Sequence, residues 1–82
     1  MVCHVYVLRS ERTGRLYVGQ TADLDRRLHE HRSGHTPSTR SRGPWALVAS
    51  RPFESRAEAV RTERALKALK SPRRVLETAA SW

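Results

Sequence analysis

The sequence predicts a small α/β (α+β) domain: a three-stranded, mainly antiparallel sheet packed with helices. Three observations predict it. Two short runs rich in β-branched and aromatic residues, Val2 to Leu8 and Arg15 to Gly19, flank the turn Glu11-Arg12-Thr13-Gly14. Apolar residues then recur at helical spacing, with capping residues at the ends. A second helical pattern opens on Ser55-Arg56-Ala57-Glu58, an S-x-x-E capping box. The 82 residues hold one core, so a single domain is expected over 1–82. A chain of this size buries only roughly 60–65% of its unfolded surface.

Each element has its own signal. Val2, Cys3, Val5, Tyr6, Val7 and Leu8 form a nearly continuous apolar run, which reads as a central strand covered on both faces. Gly14 supplies a permissive backbone to the turn, and Arg15 to Gly19 return as the hairpin partner. Gly19 is expected to end that strand where a side chain would block the space before the helix. Thr21 reads as the N-cap of a first helix, with Asp23 and Asp25 in its first turn and Gly34 as its stop. Its i, i+3, i+4, i+7 stripe is Leu24, Arg27, Leu28 and His31, which places Arg26, His29 and Glu30 elsewhere around the helix. Gly34 to Pro44 is a loop carrying Arg40 and Arg42, the best placed for a binding loop. Trp45 to Phe53 reads as the third strand, with both aromatics in the core. The second long helix runs from Ser55 to about Lys70, and Glu63 lies within its apolar stripe of Val60, Leu66 and Leu69. Ser71-Pro72 stops it and opens a short third helix, Arg73 to about Ala80.

Composition narrows the partners. Sixteen basic against eight acidic residues give a net charge of +8, and fourteen of the sixteen are arginine. Arginine forks grip phosphate bidentately and stack on bases, so nucleic acid is the expected partner. No apolar run approaches the ~20 residues of a membrane span. With no secretion signal visible and Cys3 the single cysteine, the cytoplasm is the expected compartment. His31 and His35 are four apart, but Gly34 interrupts the helix and no cysteine pair exists, so structural zinc is not expected.

His4-Val5-Tyr6, Tyr17-Val18-Gly19, then Arg27, His31 and Glu63 form an ordered set. The set resembles the GIY-YIG nuclease family, in which two such tripeptides sit on a two-strand core and the next helix carries an arginine. The resemblance runs from about Val5 to about Lys70. Arg27 falls ten residues after Tyr17, as in the family. Valine replaces isoleucine in both tripeptides, and His4 stands where the family has glycine; both tyrosines are kept. Within the family the chain resembles the small stand-alone bacterial branch of predicted endonucleases.

The resemblance implies a metal-dependent hydrolysis of DNA phosphodiesters, with Tyr6, Tyr17, Arg27, His31 and Glu63 as catalytic residues and Mg²⁺ or Mn²⁺ as cofactor. A lone carboxylate on a helix suits Mg²⁺, whose shell water and substrate phosphate complete. By residue chemistry alone, Glu63 serves equally as a surface partner of Lys67 at i+4. Arg27 is a permanent cation able to hold two phosphate oxygens, or an arginine lying over Leu24 and Leu28. Tyr17, supported by Tyr6, is the first choice for orienting or deprotonating the water. An unperturbed tyrosine titrates near 10 and needs neighbouring cations to act as a base, and buried strand tyrosines are often purely structural. His31 has three open roles: relaying the proton, holding Tyr6 or touching phosphate.

Arg26, Arg40, Arg42, Lys67, Lys70 and Arg73 are the expected DNA contacts. The C-terminal basic cluster reads as a phosphate track or a solvated face. No helix-turn-helix, zinc finger or long linker is present to read a base sequence. Target choice is therefore expected from DNA shape, local single-strandedness or a protein partner, with the chain a monomer or weak dimer. The competing reading is a non-catalytic basic module that keeps the fold and binds nucleic acid without turnover. A small RNA-associated protein is more remote, since five aromatic residues offer little stacking surface.

Overall fold

The computed structural model describes residues 2–34 and 43–82. Its elements run β1 (Cys3–Ser10), β2 (Leu16–Thr21), α1 (Leu24–Arg32), β3 (Trp45–Phe53), α2 (Arg56–Ala68) and α3 (Pro72–Ala79). The sheet is antiparallel throughout, in the order β2-β1-β3. The expected α+β architecture is what forms.

β1 is central because its side chains have apolar cover on both faces. Cys3, Val5 and Val7 join Val18, Ala59, Leu66, Val75 and Ala79 on the side of α2 and α3. Tyr6 and Leu8 join Leu28 and Trp45 on the side of α1. Strand alternation sends successive residues to opposite faces, so one run of apolar residues feeds two cores. Val2 lies outside the strand and is exposed, contrary to its place in the sequence-derived run. The hairpin turn is held by Ser10, whose buried hydroxyl accepts from the backbone N–H groups of Arg12 and Thr13. Gly14 takes φ 76°, a left-handed conformation that favours glycine.

β3 carries a bulge. Val7 pairs with Ala49 and Leu8 with Leu47, which leaves Val48 as the extra residue. Without it, Trp45 and Phe53, an even number apart, would share one face. With it, Phe53 packs on the α2 side and Trp45 on the α1 side. Trp45 is buried as the sequence suggests, while Phe53 is only partly buried against the other core.

Two boundaries move. β2 continues past Gly19 to Thr21. The N-cap of α1 is Asp23, whose carboxylate accepts from the Arg26 N–H at 3.1 Å. The Thr21 hydroxyl instead accepts from the Asp23 N–H, a local turn that ends the strand. Ser55 caps α2, accepting from the Glu58 N–H, and Ser71 caps α3 ahead of Pro72. Each cap contributes about 1 kcal/mol. No helix among the described residues is long and apolar enough to cross a membrane.

Candidate active site

In the β1–β2 ladder Tyr6 lies opposite Gly19, and Leu8 opposite Tyr17. Opposed residues share a face, so both tyrosines project toward α1. There they meet His31, which α1 delivers from its inward stripe and which is 3% exposed. The ring centroids of Tyr17 and His31 are 5.0 Å apart, and those of Tyr6 and Tyr17 are 6.3 Å apart. The Tyr6 hydroxyl lies 2.9 Å from His31 Nε2. Burial, followed by Tyr17 and by the charges of Glu63 and Glu30, pushes the Tyr6 phenol well above the ordinary tyrosine range, against the opposing pull of Arg27. Burial, then the Arg27 charge, lowers His31, and Glu30 opposes them. Both groups therefore stay uncharged and share one hydrogen bond between the Tyr6 hydroxyl and His31 Nε2, whose donor is set by the imidazole tautomer. Of the three roles open to His31, holding Tyr6 is the one this contact supports.

Gly19 makes the contact possible. A Cβ built on it would stand 2.6 Å from the Tyr6 hydroxyl oxygen and 3.1 Å from Cε1 of Tyr17. The missing side chain leaves room for the Tyr6 phenol. The strand does not end here, as the sequence reading expected; the clearance lies between two paired strands.

The charged residues stand around this aromatic centre. Arg27 is half-exposed and pairs with Glu30 at 3.6 Å, and the more exposed Arg26 reaches the same carboxylate at 3.7 Å. Glu30 thus belongs beside Arg27, not elsewhere around the helix, because residues three and four apart are neighbours. Glu63 lies within the α2 stripe, its side chain 19% exposed, and holds Lys67 at 3.0 Å. The charges of Arg27, Glu30 and Glu63 all act on the Tyr6 phenol, which places them in one electrostatic neighbourhood. A polar cavity of about 360 Å³ opens between β2 and the two helices, with Arg26, Arg27 and Arg56 among its walls. The amide oxygen of Gln20 on that cavity is buried without a hydrogen-bond partner among the described residues.

A family model described as the GIY-YIG catalytic domain matches residues 2–75. The chain belongs to the GIY-YIG family. It is 45% identical over 67 residues to the UPF0213 protein BH0048 of Halalkalibacterium halodurans, a match covering 80% of this chain and 70% of that one. A UPF0213 protein of Halobacterium salinarum is 40% identical over 67 residues, covering 80% of this chain and 86% of the relative. The solution NMR structure of the UPF0213 protein BH0048 from Bacillus halodurans superposes with a TM-score of 0.62 at 41% identity, covering 98% of this chain and 84% of that one. This GIY-YIG domain is similar to that structure along nearly its whole length.

Within the family frame, Tyr6, Tyr17 and His31 are in contact, and Arg27 and Glu63 lie in electrostatic reach. Arg26 borders the polar cavity, while Lys67 and Lys70 border a second pocket. Arg73 is far more exposed and pairs with Glu77 at 3.1 Å on its own helix. Arg40 and Arg42 lie outside the described residues. Sequence reasoning missed Glu30, Gln20 and Arg56. The spacing of Glu30 from both arginines was a usable signal; Arg56 reaches the cavity only through tertiary packing. Among the described residues, no three His, Cys, Asp or Glu side chains cluster to hold a metal.

Proposed function

We propose that the chain is a metal-dependent endonuclease that hydrolyses DNA phosphodiester bonds, selecting structured or single-stranded DNA in repair, recombination or processing. The observation that carries this reading is the buried Tyr6–His31 pair backing Tyr17, with Arg27 and Glu63 in the same electrostatic neighbourhood. Arg27 grips phosphate oxygens and offsets the charge that develops on phosphorus. Tyr17 orients the attacking water. Tyr6 keeps its proton and stays hydrogen-bonded to His31, so this pair acts by positioning the Tyr17 ring.

Glu63 fits a hard divalent cation: it is a single carboxylate on a helix, partly open to solvent, and such a cation takes its remaining ligands from water and phosphate. Mg²⁺ or Mn²⁺ held there supplies Lewis-acid stabilisation of the phosphate oxygens. In this reading the chain works as one domain in the cytoplasm, as a monomer or weak dimer, with specificity aided by a protein partner.

One observation favours the binding-module reading: Arg27 and Glu63 are each ion-paired on their own helix. The test is cleavage of labelled single-stranded, duplex, flapped and four-way DNA with and without Mg²⁺ or Mn²⁺, comparing wild type with Glu63→Ala and Arg27→Ala. Metal-dependent cutting lost in both variants is the expected result. Salt-sensitive binding without cutting on any of these substrates, and unchanged or tighter in Glu63→Ala, gives the answer to the binding module.

A further inference from the structure

The mechanism above leaves unused a pocket on the far side of β2. It lies where β2 meets α2 and α3 and has a volume of about 400 Å³. Leu16, Val18, Leu66 and Val75 give it an apolar lining, while Arg15, Lys67 and Lys70 add positive charge around it. Tyr17 borders it from β2 although its ring faces the α1 side, and Lys67 is the partner of Glu63, so the pocket lies around the β2 edge from the candidate active site. Lys70 has φ 55°, a left-handed backbone that glycine adopts far more readily than lysine. The chain thus holds an amine at a strained position beside this pocket.

A phosphate track needs cations but no apolar floor. A cavity that combines both suits a flat, weakly polar ring carried on an anionic backbone, which describes a nucleobase. Bases in a duplex are stacked and paired, so only an unpaired one can enter. We propose that this pocket receives an unpaired nucleobase of the strand held at Tyr17, with Lys67 and Lys70 on the flanking phosphates. The identity of that strand as substrate rests on the endonuclease reading; the base pocket itself does not.

The experiment uses the metal-free protein at fixed salt with two probes of equal charge: a short oligothymidine and an abasic oligomer of the same length. Affinities are measured, and the methyl NMR signals of Leu16, Val18, Leu66 and Val75 are followed. Oligothymidine should bind severalfold tighter, since only it carries a base whose apolar face can be buried in the pocket. The four methyl sets should move with oligothymidine and stay still with the abasic strand. Lys70→Gly should weaken both probes while leaving Tm equal or higher, since glycine suits that backbone. Equal affinity for the two probes, or methyl signals that stay still with both, overturns the proposal. Metal-dependent cutting with silent methyls sinks the pocket and leaves the nuclease standing. Methyl shifts without cutting on any DNA keep the pocket and sink the nuclease.

Discussion

The candidate site has an inner half and an outer half built on different principles. The inner half is Tyr6 and His31, buried, hydrogen-bonded to each other and wedged against Gly19. The outer half is Arg27 and Glu63, each partly open to solvent and each held by a neighbour on its own helix. A buried hydrogen bond is costly to break, because the group left behind has no water to replace its partner. Exposed ion pairs at i+3 or i+4 contribute about 0–1 kcal/mol and can be exchanged. The inner half is therefore preorganised, and the outer half can trade Glu30 and Lys67 for phosphate and metal at little cost.

The sharpest break in this comparison is Arg27→Ala. Its side chain is half-exposed, so stability should stay within about 0.5 kcal/mol. Cutting should fall by roughly 10²–10³-fold, as expected for losing a preorganised positive group. Single-turnover cleavage set beside a urea titration separates the two effects; a large stability loss would place Arg27 in the inner half. Tyr6→Phe does the reverse. It keeps the ring but removes the hydroxyl that partners a buried nitrogen, and should cost about 1–3 kcal/mol of stability. For a domain of this size each kcal/mol moves Tm by roughly 4–8 °C, readable by calorimetry.

A pH series sharpens the contrast further. His31 titrates below its ordinary value in the folded chain. As pH falls below about 6.5 the unfolded chain takes up a proton there that the folded chain refuses. Its stabilising contribution is thus complete above that pH and is lost as pH falls through the lowered folded value. Urea midpoints from about pH 7.5 down to about pH 5 should decline in wild type and decline less in His31→Gln. An equal decline in both would assign the acid sensitivity elsewhere. The smallest effect is Glu30→Gln, which removes a partly exposed partner and should change stability by less than about 1 kcal/mol. Freed of this counter-charge, Arg27 should bind DNA slightly tighter at low salt, measurable by fluorescence anisotropy.

The inner half was the more legible in sequence. Tyr6, Tyr17, Gly19 and His31 lie on a hairpin and the helix that follows it, where local periodicity fixes which face each occupies. The capping box at Ser55 and the punctuation at Ser71-Pro72 located the later helices within a residue or two. What stayed hidden depends on long-range geometry. The bulge at Val48 reverses the facing of Trp45, yet no turn residue marks it. The Asp23 cap was obscured by Thr21, an equally good capping residue two positions earlier. Arg56 looked like one more helix-start arginine until the fold brought it to the cavity of Arg26 and Arg27.

The reversal at Val48 has a practical consequence. The chain contains two tryptophans. Trp45 is buried on the α1 side with its ring centroid 6.3 Å from that of Tyr17, while Trp82 packs against the core formed with α2 and α3. Each face of the sheet therefore carries its own fluorophore. Removing one indole at a time turns the emission spectrum into a separate reporter for each layer. A chain that melts cooperatively will show both signals shifting at the same denaturant concentration; a chain whose α1 layer loosens first will show Trp45 leading.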